Sequence, residues 1–165
     1  GDMKLGHNTK IACFSQDQYD FLDMEQTVLE NISRQNTEMP ESKIRALLGC
    51  FLFRKDDVHK KAKVLSGGEK SRLSMASLLM QDANFLLLDE PTNHLDMAST
   101  DVLADALADY EGTIMFVSHN RKFINILATH IIVLDQNRKV HKYKGNLEEN
   151  LDKPAIKKLF ESQMI

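Results

Sequence analysis

The chain has 165 residues, of which 42% are hydrophobic and 27% are charged, with 7 Gly and 3 Pro. This composition is typical of one compact globular domain and excludes disordered, collagen-like and low-complexity chains. The 21 basic and 24 acidic residues give a formal net charge of −3, so the chain as a whole has no electrostatic attraction to nucleic acid or to a membrane surface. The longest nearly uncharged apolar stretch, 46–53, is far shorter than the roughly 20 residues of a membrane-spanning helix.

The N-terminus and the cysteines indicate a cellular compartment. The polar N-terminus is followed by no apolar h-region, so no secretory signal is visible. Cys13 and Cys50 are isolated from each other and from any Cys/His cluster, and each lies beside a Phe. We expect both to be small buried hydrophobic residues rather than parts of a disulfide or a zinc site. A reducing, cytoplasmic compartment fits this use of cysteine best.

The N-terminal half is predicted to contain one strand followed by a helical insert. Residues 10–14 have the pattern of a buried strand, and from about residue 19 to residue 80 the pattern becomes helical. One helix of this insert is predicted to begin at Thr27, and two further helices are predicted over 41–48 and 68–80. Residues 1–165 are therefore predicted to form one α/β domain, in which the helical subdomain interrupts the core strands.

Three apolar runs in the second half predict buried strands at 85–88, 114–117 and 131–134. Apolar runs without alternation are typical of strands that are covered on both faces, as in a parallel sheet. Apolar residues recur with helical spacing between the first two runs, over 102–110, which completes the crossover unit of a parallel sheet. Functional loops are then expected at the carboxyl ends of these strands. A short edge strand is predicted at 139–143.

The hexapeptide Leu-Ser-Gly-Gly-Glu-Lys at 65–70 predicts a helix that begins with an exposed backbone. Ser66 and Glu69 have the spacing of a capping box. Gly67 and Gly68 leave the N–H groups of the first turn unshielded, and the helix dipole adds partial positive charge there, so this N-terminus suits a phosphate group. A well-capped helix that binds nothing is the alternative.

Acidic and imidazole side chains follow two of the predicted strands. Asp89 and Glu90 end the first apolar run, where two adjacent carboxylates are costly unless something compensates them. Asp89 is placed to hold hydrated Mg²⁺ and Glu90 to polarise a water molecule, and a pair of solvated acids is the alternative. His119 directly follows the next strand and is expected beside this pair. Asp96 lies where a plain N-cap of the following helix is expected.

Taken together in this order, these residues resemble the ATP-binding-cassette ATPases. The segment 65–69 resembles the signature motif, 86–90 the Walker B strand and 95–96 the D-loop. His119 resembles the switch histidine, and Gln16 resembles the glutamine of the Q-loop. The resemblance implies a P-loop NTPase-like parallel sheet with a helical signature subdomain, ATP and Mg²⁺ as cofactors, and hydrolysis of ATP to ADP and phosphate.

Two stretches, 68–73 and 89–96, resemble the F subfamily in particular. Its members are soluble proteins with two cassettes on one chain, and many of them act on ribosomes. The segments 60–64 and 143–147 are similar to the C-terminal cassette. The resemblance implies a parent protein that couples ATP binding and hydrolysis to a conformational change, with a second cassette and the ribosome as partners.

The resemblance also implies roles for single residues in a dimer of cassettes that encloses two nucleotides. Ser66, Gly67 and Gly68 would face the γ-phosphate that the other cassette holds. Glu69 and Asp96 are implied as further nucleotide-binding residues. Asp89 and Gln16 help to position Mg²⁺ and water, Glu90 is the general base, and His119 stabilises the γ-phosphate. Asn120 follows His119 at a position where the family usually has Asp.

The phosphate-binding loop of the family is not found in this sequence. Such a loop requires Gly-x-x-x-x-Gly-Lys-Ser/Thr. Gly1 and Gly6 have the right separation, but His and Asn follow Gly6. In the family this motif precedes the Q-loop strand, so we expect it upstream of Gly1 and expect the isolated chain to be inactive. In the family, the strand that leads into this loop lies between the strands that correspond here to 113–117 and 130–135. Because that strand is not found in this sequence, we expect the two flanking strands either to pair directly or to drive self-association.

Two further interpretations stay open at the level of sequence. The chain could be the ATPase subunit of a membrane transporter, an interpretation that a second cassette on the full-length chain would exclude. It could also be a non-catalytic interaction fragment, which binding of labelled ATP to this chain would exclude. The basic residues within 54–63 are most simply a solvated face, and contact with RNA phosphate is the alternative.

Overall fold

The chain folds as two compact units, Gly1–Ser118 and His119–Ile165. The computed structural model describes residues 2, 4–14, 22–35, 37, 39–93, 95–135 and 137–161. Gln16, which we expect to be the Q-loop glutamine, lies outside the described residues, as does His94. Among the helices of the described residues, none combines the length and the apolar character that crossing a bilayer requires.

Among its described residues, the first unit contains three strands and four α-helices, in an order that matches the sequence prediction. Two short 3₁₀ helices, Lys55–His59 and Ala62–Val64, precede the third α-helix of the unit. The elements in chain order are β1 (Ile11–Phe14), α1 (Val28–Ser33), α2 (Glu41–Cys50), α3 (Gly67–Leu79), β2 (Phe85–Asp89), α4 (Met97–Ala108) and β3 (Thr113–Val117). The predicted strands and helices of this half are therefore confirmed, with small shifts at their ends.

The three strands form one parallel sheet with β2 in the centre. Ile11 pairs with Phe85, and Phe85 pairs with Thr113, so all three strands point the same way. Their carboxyl ends meet at one edge, where Asp89 lies opposite Val117. The predicted parallel sheet is confirmed, and it places the acidic strand end at the edge where functional loops of such sheets gather.

The two faces of this sheet differ in burial. One face is buried along β1 and β2, as the low exposure of Ala12, Phe14, Leu86 and Leu88 shows. The other face is open along β3, where Met115 is 53% exposed and Val117 is 59% exposed. The expectation that this strand is covered on both faces is therefore wrong for the described residues, because its burial alternates along the strand.

The cysteines also differ from expectation. Cys13 lies on the open side of β1, and Cys50 is the last residue of α2. Both are exposed free thiols. Their neighbours Phe14 and Phe51 are the buried residues at these places, so the apolar sequence context indicates the burial of the aromatic ring and not of the thiol.

The described part of the second unit consists of a hairpin, two α-helices and a 3₁₀ helix. Its elements are α5 (Arg121–Leu127), β4 (His130–Leu134), β5 (Val140–Lys144), a 3₁₀ helix at Glu148–Asn150, and α6 (Pro154–Glu161). β4 and β5 pair antiparallel, and Val133, Leu147 and Ile156 form the buried core of the unit.

The outer face of this hairpin is apolar and exposed. Ile132 is 53% exposed, Leu134 is 73% exposed and Val140 is 64% exposed. The predicted burial of β4 on both faces is thus wrong for the described residues. β3 and β4 belong to different sheets, so the direct pairing that we expected between them is also wrong. Self-association of the chain through these strands stays a prediction.

Candidate functional site

The N-terminus of α3 is fixed by the capping box that the sequence predicts. The Oγ of Ser66 accepts a hydrogen bond from the backbone N–H of Glu69 at 3.3 Å. The carboxylate of Glu69 accepts one from the backbone N–H of Ser66 at 2.7 Å, and the Ser66 hydroxyl donates to the same oxygen at 2.8 Å. The hydrogen bonds from Ser66 hold the pKa of Glu69 below its ordinary value, so the cap is strongest when Glu69 is ionised.

The first turn of α3 presents its backbone to the outside. Gly67 and Gly68 occupy the first two helical positions, whose N–H groups have no acceptor within the helix. Gly67 is exposed, and a Cβ placed on it would meet no atom within 4 Å. Internal packing therefore does not require glycine at this position. Bare amides at the positive end of a helix favour an anion that approaches from outside.

The carboxyl end of β2 carries the two acidic residues. Asp89 is the last residue of the strand and is exposed, while Glu90 is half-buried. Glu90 has a φ of +45°, and its N–H donates to the carbonyl of Val117 at 2.9 Å. A left-handed backbone is unfavourable for Glu, so the hydrogen bond across to β3 holds a strained residue in place. Strain of this kind is typical of functional positions.

The turn after Glu90 is tied to the end of β3. The backbone N–H of Asn93 donates to the carbonyl of Glu90 at 3.0 Å, which closes the turn. The hydroxyls of Thr92 and Ser118 lie 3.3 Å apart and share a hydrogen bond. Two neighbouring strand ends are thus joined at the loops that carry the candidate residues.

Asp96 is the N-cap of α4, as the sequence prediction allows. Its carboxylate accepts a hydrogen bond from the backbone N–H of Ser99 at 2.7 Å. The hydrogen bonds from Ser99 lower the pKa of Asp96. The side chain is therefore engaged at its own helix terminus, and its contact with a nucleotide stays a prediction.

Arg72 is a residue of this region that the sequence analysis did not single out. Its Nη1 donates to the Oγ of Ser99 at 2.9 Å, which connects α3 to the first turn of α4. Its guanidinium carbon also lies 5.8 Å from the centre of the Phe53 ring. The sequence signal was its position three residues after Glu69, which places Arg72 and Glu69 on the same side of α3.

His119 is the first residue of the second unit and is exposed. Asn120 follows it as the N-cap of α5, and its side-chain oxygen accepts a hydrogen bond from the N–H of Phe123 at 3.1 Å. Asn is as good an N-cap as the Asp that the family usually has here, so this departure preserves the local helix start. The role of His119 at a γ-phosphate stays a prediction.

The carboxylate of Asp89 fits a shared Mg²⁺ site. Mg²⁺ is usually bound by one or two carboxylates together with water and substrate phosphates. Asp89 supplies one exposed carboxylate at the carboxyl edge of a parallel sheet. One such carboxylate is enough for a Mg²⁺ site whose other ligands are water and phosphate oxygens. In the part of the chain that the structure describes, no group of three His, Cys, Asp or Glu residues forms a cage for a metal ion.

The basic segment before the signature helix is largely compensated by acidic side chains. Lys61 and Lys63 both pair with Glu25, at 3.3 Å and 2.9 Å. Lys60 pairs with Asp57 at 2.7 Å. The backbone of this segment also joins the chain just before α1, because Ala62 N–H donates to the carbonyl of Gln26 at 2.9 Å. These contacts support the solvated-face interpretation of the segment.

Comparison with known proteins gives the family. Residues 3–93, more than half of the chain, match the model of the family described as "ABC transporter". The chain is 44% identical to the Putative ATP-binding protein YdiF of Bacillus subtilis over 153 residues, which are 93% of this chain and 24% of that protein. It is 38% identical to ABC transporter F family member 5 of Arabidopsis thaliana over 157 residues, 92% of this chain and 22% of that protein.

Comparison with solved structures supports the fold. One match comes from the crystal structure of the complex of archaeal ribosomal stalk protein aP1 and archaeal ribosome recycling factor aABCE1. The TM-score is 0.69 at 23% sequence identity, and the match covers 98% of this chain and 31% of that one. The P-loop NTPase-like fold is thereby confirmed. The chain spans about a quarter of the length of the two sequence relatives. It belongs to the ABC transporter family of ATP-binding-cassette proteins, and its resemblance to the F subfamily is confirmed.

Proposed function

We propose that the chain forms part of an ATP-hydrolysing cassette whose parent protein couples ATP binding and hydrolysis to a conformational change on the ribosome. The relatives named as an ATP-binding protein and as an F family member support ATP as the nucleotide. The structural neighbour solved with a ribosomal stalk protein supports the ribosome as the partner. A cytoplasmic location fits this partner.

The observation that carries the proposal is the backbone conformation of Glu90, which a hydrogen bond to the neighbouring strand keeps in place. The residue keeps a left-handed φ of +45° while its N–H bonds to Val117 on the neighbouring strand. This arrangement fixes the direction in which the Glu90 side chain leaves the backbone. Asp89, the preceding residue, would hold Mg²⁺ at the carboxyl edge of the sheet. The metal ion, when bound, neutralises charge on the phosphates. Glu90 would then accept a proton from the water that attacks the γ-phosphate.

The N-terminus of α3 would serve the nucleotide that the second cassette of the parent protein holds. The bare amides of Gly67 and Gly68 would contact the γ-phosphate from the opposite side. The Ser66 hydroxyl beside them would contact it by exchanging its hydrogen bond to Glu69 for one to the phosphate. Gln16 and Asp96 would contribute to the two nucleotide sites in the roles that the family implies, and His119 would contact the γ-phosphate. Residues 1–165 would belong to one cassette, with the segment 19–80 as its helical subdomain.

The proposal includes a limit on what this chain does alone. The sequence contains no Gly-x-x-x-x-Gly-Lys-Ser/Thr motif, and phosphoryl transfer depends on a loop that positions the γ-phosphate. We therefore expect the isolated chain to hydrolyse no ATP and its open strand edges to favour self-association. The basic segment 54–63 would offer little charge to ribosomal RNA, because three of its lysines are paired with carboxylates.

The test is the substitution Glu90→Gln in the full-length parent protein. A general base acts in the transition state, so its loss lowers turnover without weakening nucleotide binding. We expect ATP turnover to fall by about a hundredfold or more while ATP binding is retained and the closed, two-nucleotide form accumulates. Turnover is measured by phosphate release, with and without ribosomes, and the closed form by retention of labelled ATP.

A matched control is Glu111→Gln, which removes an exposed carboxylate just before β3. This variant should hydrolyse ATP like the parent. If Glu90→Gln turned over ATP at the parent's rate, the assignment of Glu90 as the base would be wrong. If ribosomes changed neither turnover nor retention of ATP in the unsubstituted protein, the ribosome would be the wrong partner.

A further inference from the structure

The charged residues of this chain are unevenly distributed between its two units. Residues 119–165 contain 9 of the 21 Lys and Arg but only 5 of the 24 Asp and Glu. The acidic balance of the whole chain therefore conceals a basic second unit. Because such an asymmetry is typical of proteins that contact nucleic acid or a membrane surface, the second unit is the candidate for a contact of this kind.

Four of these cations lie along one edge of the hairpin, here called the β5 edge: Arg138, Lys139, Lys142 and Lys144. The first two belong to the turn between the strands and the other two to β5. All four residues are exposed, and none of them forms an ion pair with another described residue. β5 pairs only with β4 in its two-stranded sheet, so the cations line an open side of the hairpin.

The cations and the aromatic rings of β5 lie on opposite faces of the strand. Lys142 and Lys144 alternate with His141 and Tyr143, and burial alternates in the same way. Tyr143 packs against the core of the second unit, and its ring is stacked on that of His141 with 6.5 Å between the ring centres. These rings are therefore turned away from the β5 edge, which offers charge for phosphates and no platform for bases.

The turn that carries Arg138 and Lys139 is fixed by the side chain of Asp135. Its Oδ1 accepts hydrogen bonds from the backbone N–H of Asn137 at 2.9 Å and of Lys139 at 2.8 Å. Its Oδ2 lies 3.0 Å from Nε2 of His141. The carboxylate is thus occupied inside the hairpin, and the backbone that presents the cations is ordered before any partner arrives, which lowers the entropic cost of binding.

We propose that the β5 edge binds the phosphate backbone of an RNA strand. Alternate residues of a strand are about 7 Å apart, comparable to the separation of successive phosphates along a nucleic-acid strand. Lys142 and Lys144 can therefore each contact one phosphate. Contacts of this kind carry no base information, so binding is independent of base sequence. The inference rests on the proposed function for the source of the RNA, which would be ribosomal.

A membrane surface is the other polyanion that a basic hairpin could contact. The outer face of the hairpin also exposes Ile132, Leu134 and Val140. However, that face carries no Phe, Tyr or Trp among the described residues, because Tyr143 lies on the opposite face. Aromatic side chains are the usual anchors at a membrane interface. A strand of phosphates therefore fits the β5 edge better than a bilayer does.

The test measures binding of a labelled, short single-stranded RNA of mixed sequence to the full-length parent protein, without ATP and over a series of salt concentrations. The variant is Lys142→Gln with Lys144→Gln, which removes two cations from an exposed strand face. We expect its affinity for the RNA to fall by about tenfold at low salt. The slope of log K against log salt should become shallower by about 1.4, since each lost phosphate contact contributes about 0.7. Lys142→Arg with Lys144→Arg keeps the charges and should bind like the parent.

The matched control is Lys61→Gln with Lys63→Gln, which changes the net charge by the same amount. Both of these lysines already pair with Glu25, so we expect RNA affinity to change by less than about twofold and the salt slope to stay the same. Equal losses of affinity in the two double variants would show an effect of net charge alone and would overturn the proposal. Parental affinity in the Lys142 and Lys144 variant would also overturn it.

Two further outcomes separate this proposal from its neighbours. Binding of the parent to phosphatidylserine vesicles together with no binding to RNA would overturn the choice of RNA. Failure of the proposed function gives a different result, in which Glu90→Gln is fully active or ribosomes have no effect on ATP turnover. The loss of RNA binding on substitution of Lys142 and Lys144 would persist in that case, because the measurement uses no ATP.

Discussion

The starts of α1 and α3 have nearly the same cap but different first turns. In α1, Thr27 accepts from Glu30 N–H at 3.2 Å and Glu30 accepts from Thr27 N–H at 2.7 Å, and the corresponding distances in α3 are 3.3 Å and 2.7 Å. The residue after the cap is the fully buried Val28 in α1 and the exposed Gly67 in α3. The capping box therefore makes a helix start in both places, whereas only the glycines of α3 leave the backbone of the first turn exposed.

The two helices also differ in how their buried polar groups are satisfied. Asn31 of α1 donates to the carbonyls of Asp23 and Thr27, both at 3.0 Å, and accepts from Asp23 N–H at 2.8 Å. Ser74 and Ser77 of α3 are completely buried, and their hydroxyls have no hydrogen-bond partner among the described residues. The buried amide of α1 is therefore fully paired, whereas α3 buries two hydroxyls without a partner among the described residues, although the hydroxyl of Ser71 donates to the carbonyl of Gly67 at 3.2 Å.

The largest expected effect on stability is that of Asn31→Ala. The change removes the hydrogen bonds of the Asn31 side chain and leaves the N–H of Asp23 without its acceptor, which is unfavourable for a buried group. The carbonyls of Asp23 and Thr27 each keep a backbone N–H donor. We expect the free energy of unfolding to fall by about 2–3 kcal/mol, measured by urea denaturation.

The matched change in α3 is Ser77→Ala, which removes a hydroxyl that has no partner among the described residues. It should leave the free energy of unfolding unchanged or raise it by about 0.5–1 kcal/mol, since alanine is also the better helix former. Equal losses in the two variants would contradict the contrast between the helices.

The second prediction compares the caps directly. Thr27→Ala and Ser66→Ala should each lower the free energy of unfolding by about 1 kcal/mol, because both remove the same cap. In the full-length parent, only Ser66→Ala should also lower ATP turnover, by about tenfold. Denaturation and phosphate release are the two measurements. A comparable loss of turnover in Thr27→Ala would show that α1 contributes to the site.

The smallest effect concerns pH. Hydrogen bonds from Thr27 and Ser66 lower the pKa values of Glu30 and Glu69 below the ordinary 4.5. Because the folded pKa is the lower one, this stabilisation is fully present above about pH 4.5 and is lost as the pH falls through the folded pKa. Gln keeps the cap but does not titrate, so Glu30→Gln and Glu69→Gln should each reduce the loss of stability between about pH 6 and pH 3 by a similar amount. A steeper loss of stability with falling pH in either variant would contradict the predicted direction of the pH effect.

The features that the sequence predicted are local ones. The strand and helix positions, the capping box at Ser66 and the N-cap at Asp96 depend on residues within one turn or one apolar run. The Walker B and signature assignments also depend on contiguous motifs, and the roles of their residues stay predictions. Such features need no knowledge of what packs against them.

The features that the sequence did not predict depend on distant partners. The link from Arg72 to Ser99 spans 27 residues, and the strained φ of Glu90 is held by Val117 on another strand. The open face at Met115 and Val117 was missed because apolar residues indicate a tendency to be buried and not the presence of a covering element. Tertiary neighbours decide these properties.

The most direct test of the account compares two glycine substitutions in the full-length parent protein. A Cβ at Gly67 in α3 or at Gly49 in α2 would meet no atom within 4 Å, so neither Gly67→Ala nor Gly49→Ala should destabilise the fold. We expect Gly67→Ala to lower ATP turnover by about tenfold or more, because its methyl group would lie where the phosphate approaches the amides. Gly49→Ala should hydrolyse ATP like the parent. Equal, parental turnover in both variants would contradict the claim that the exposed first turn of α3 receives a phosphate.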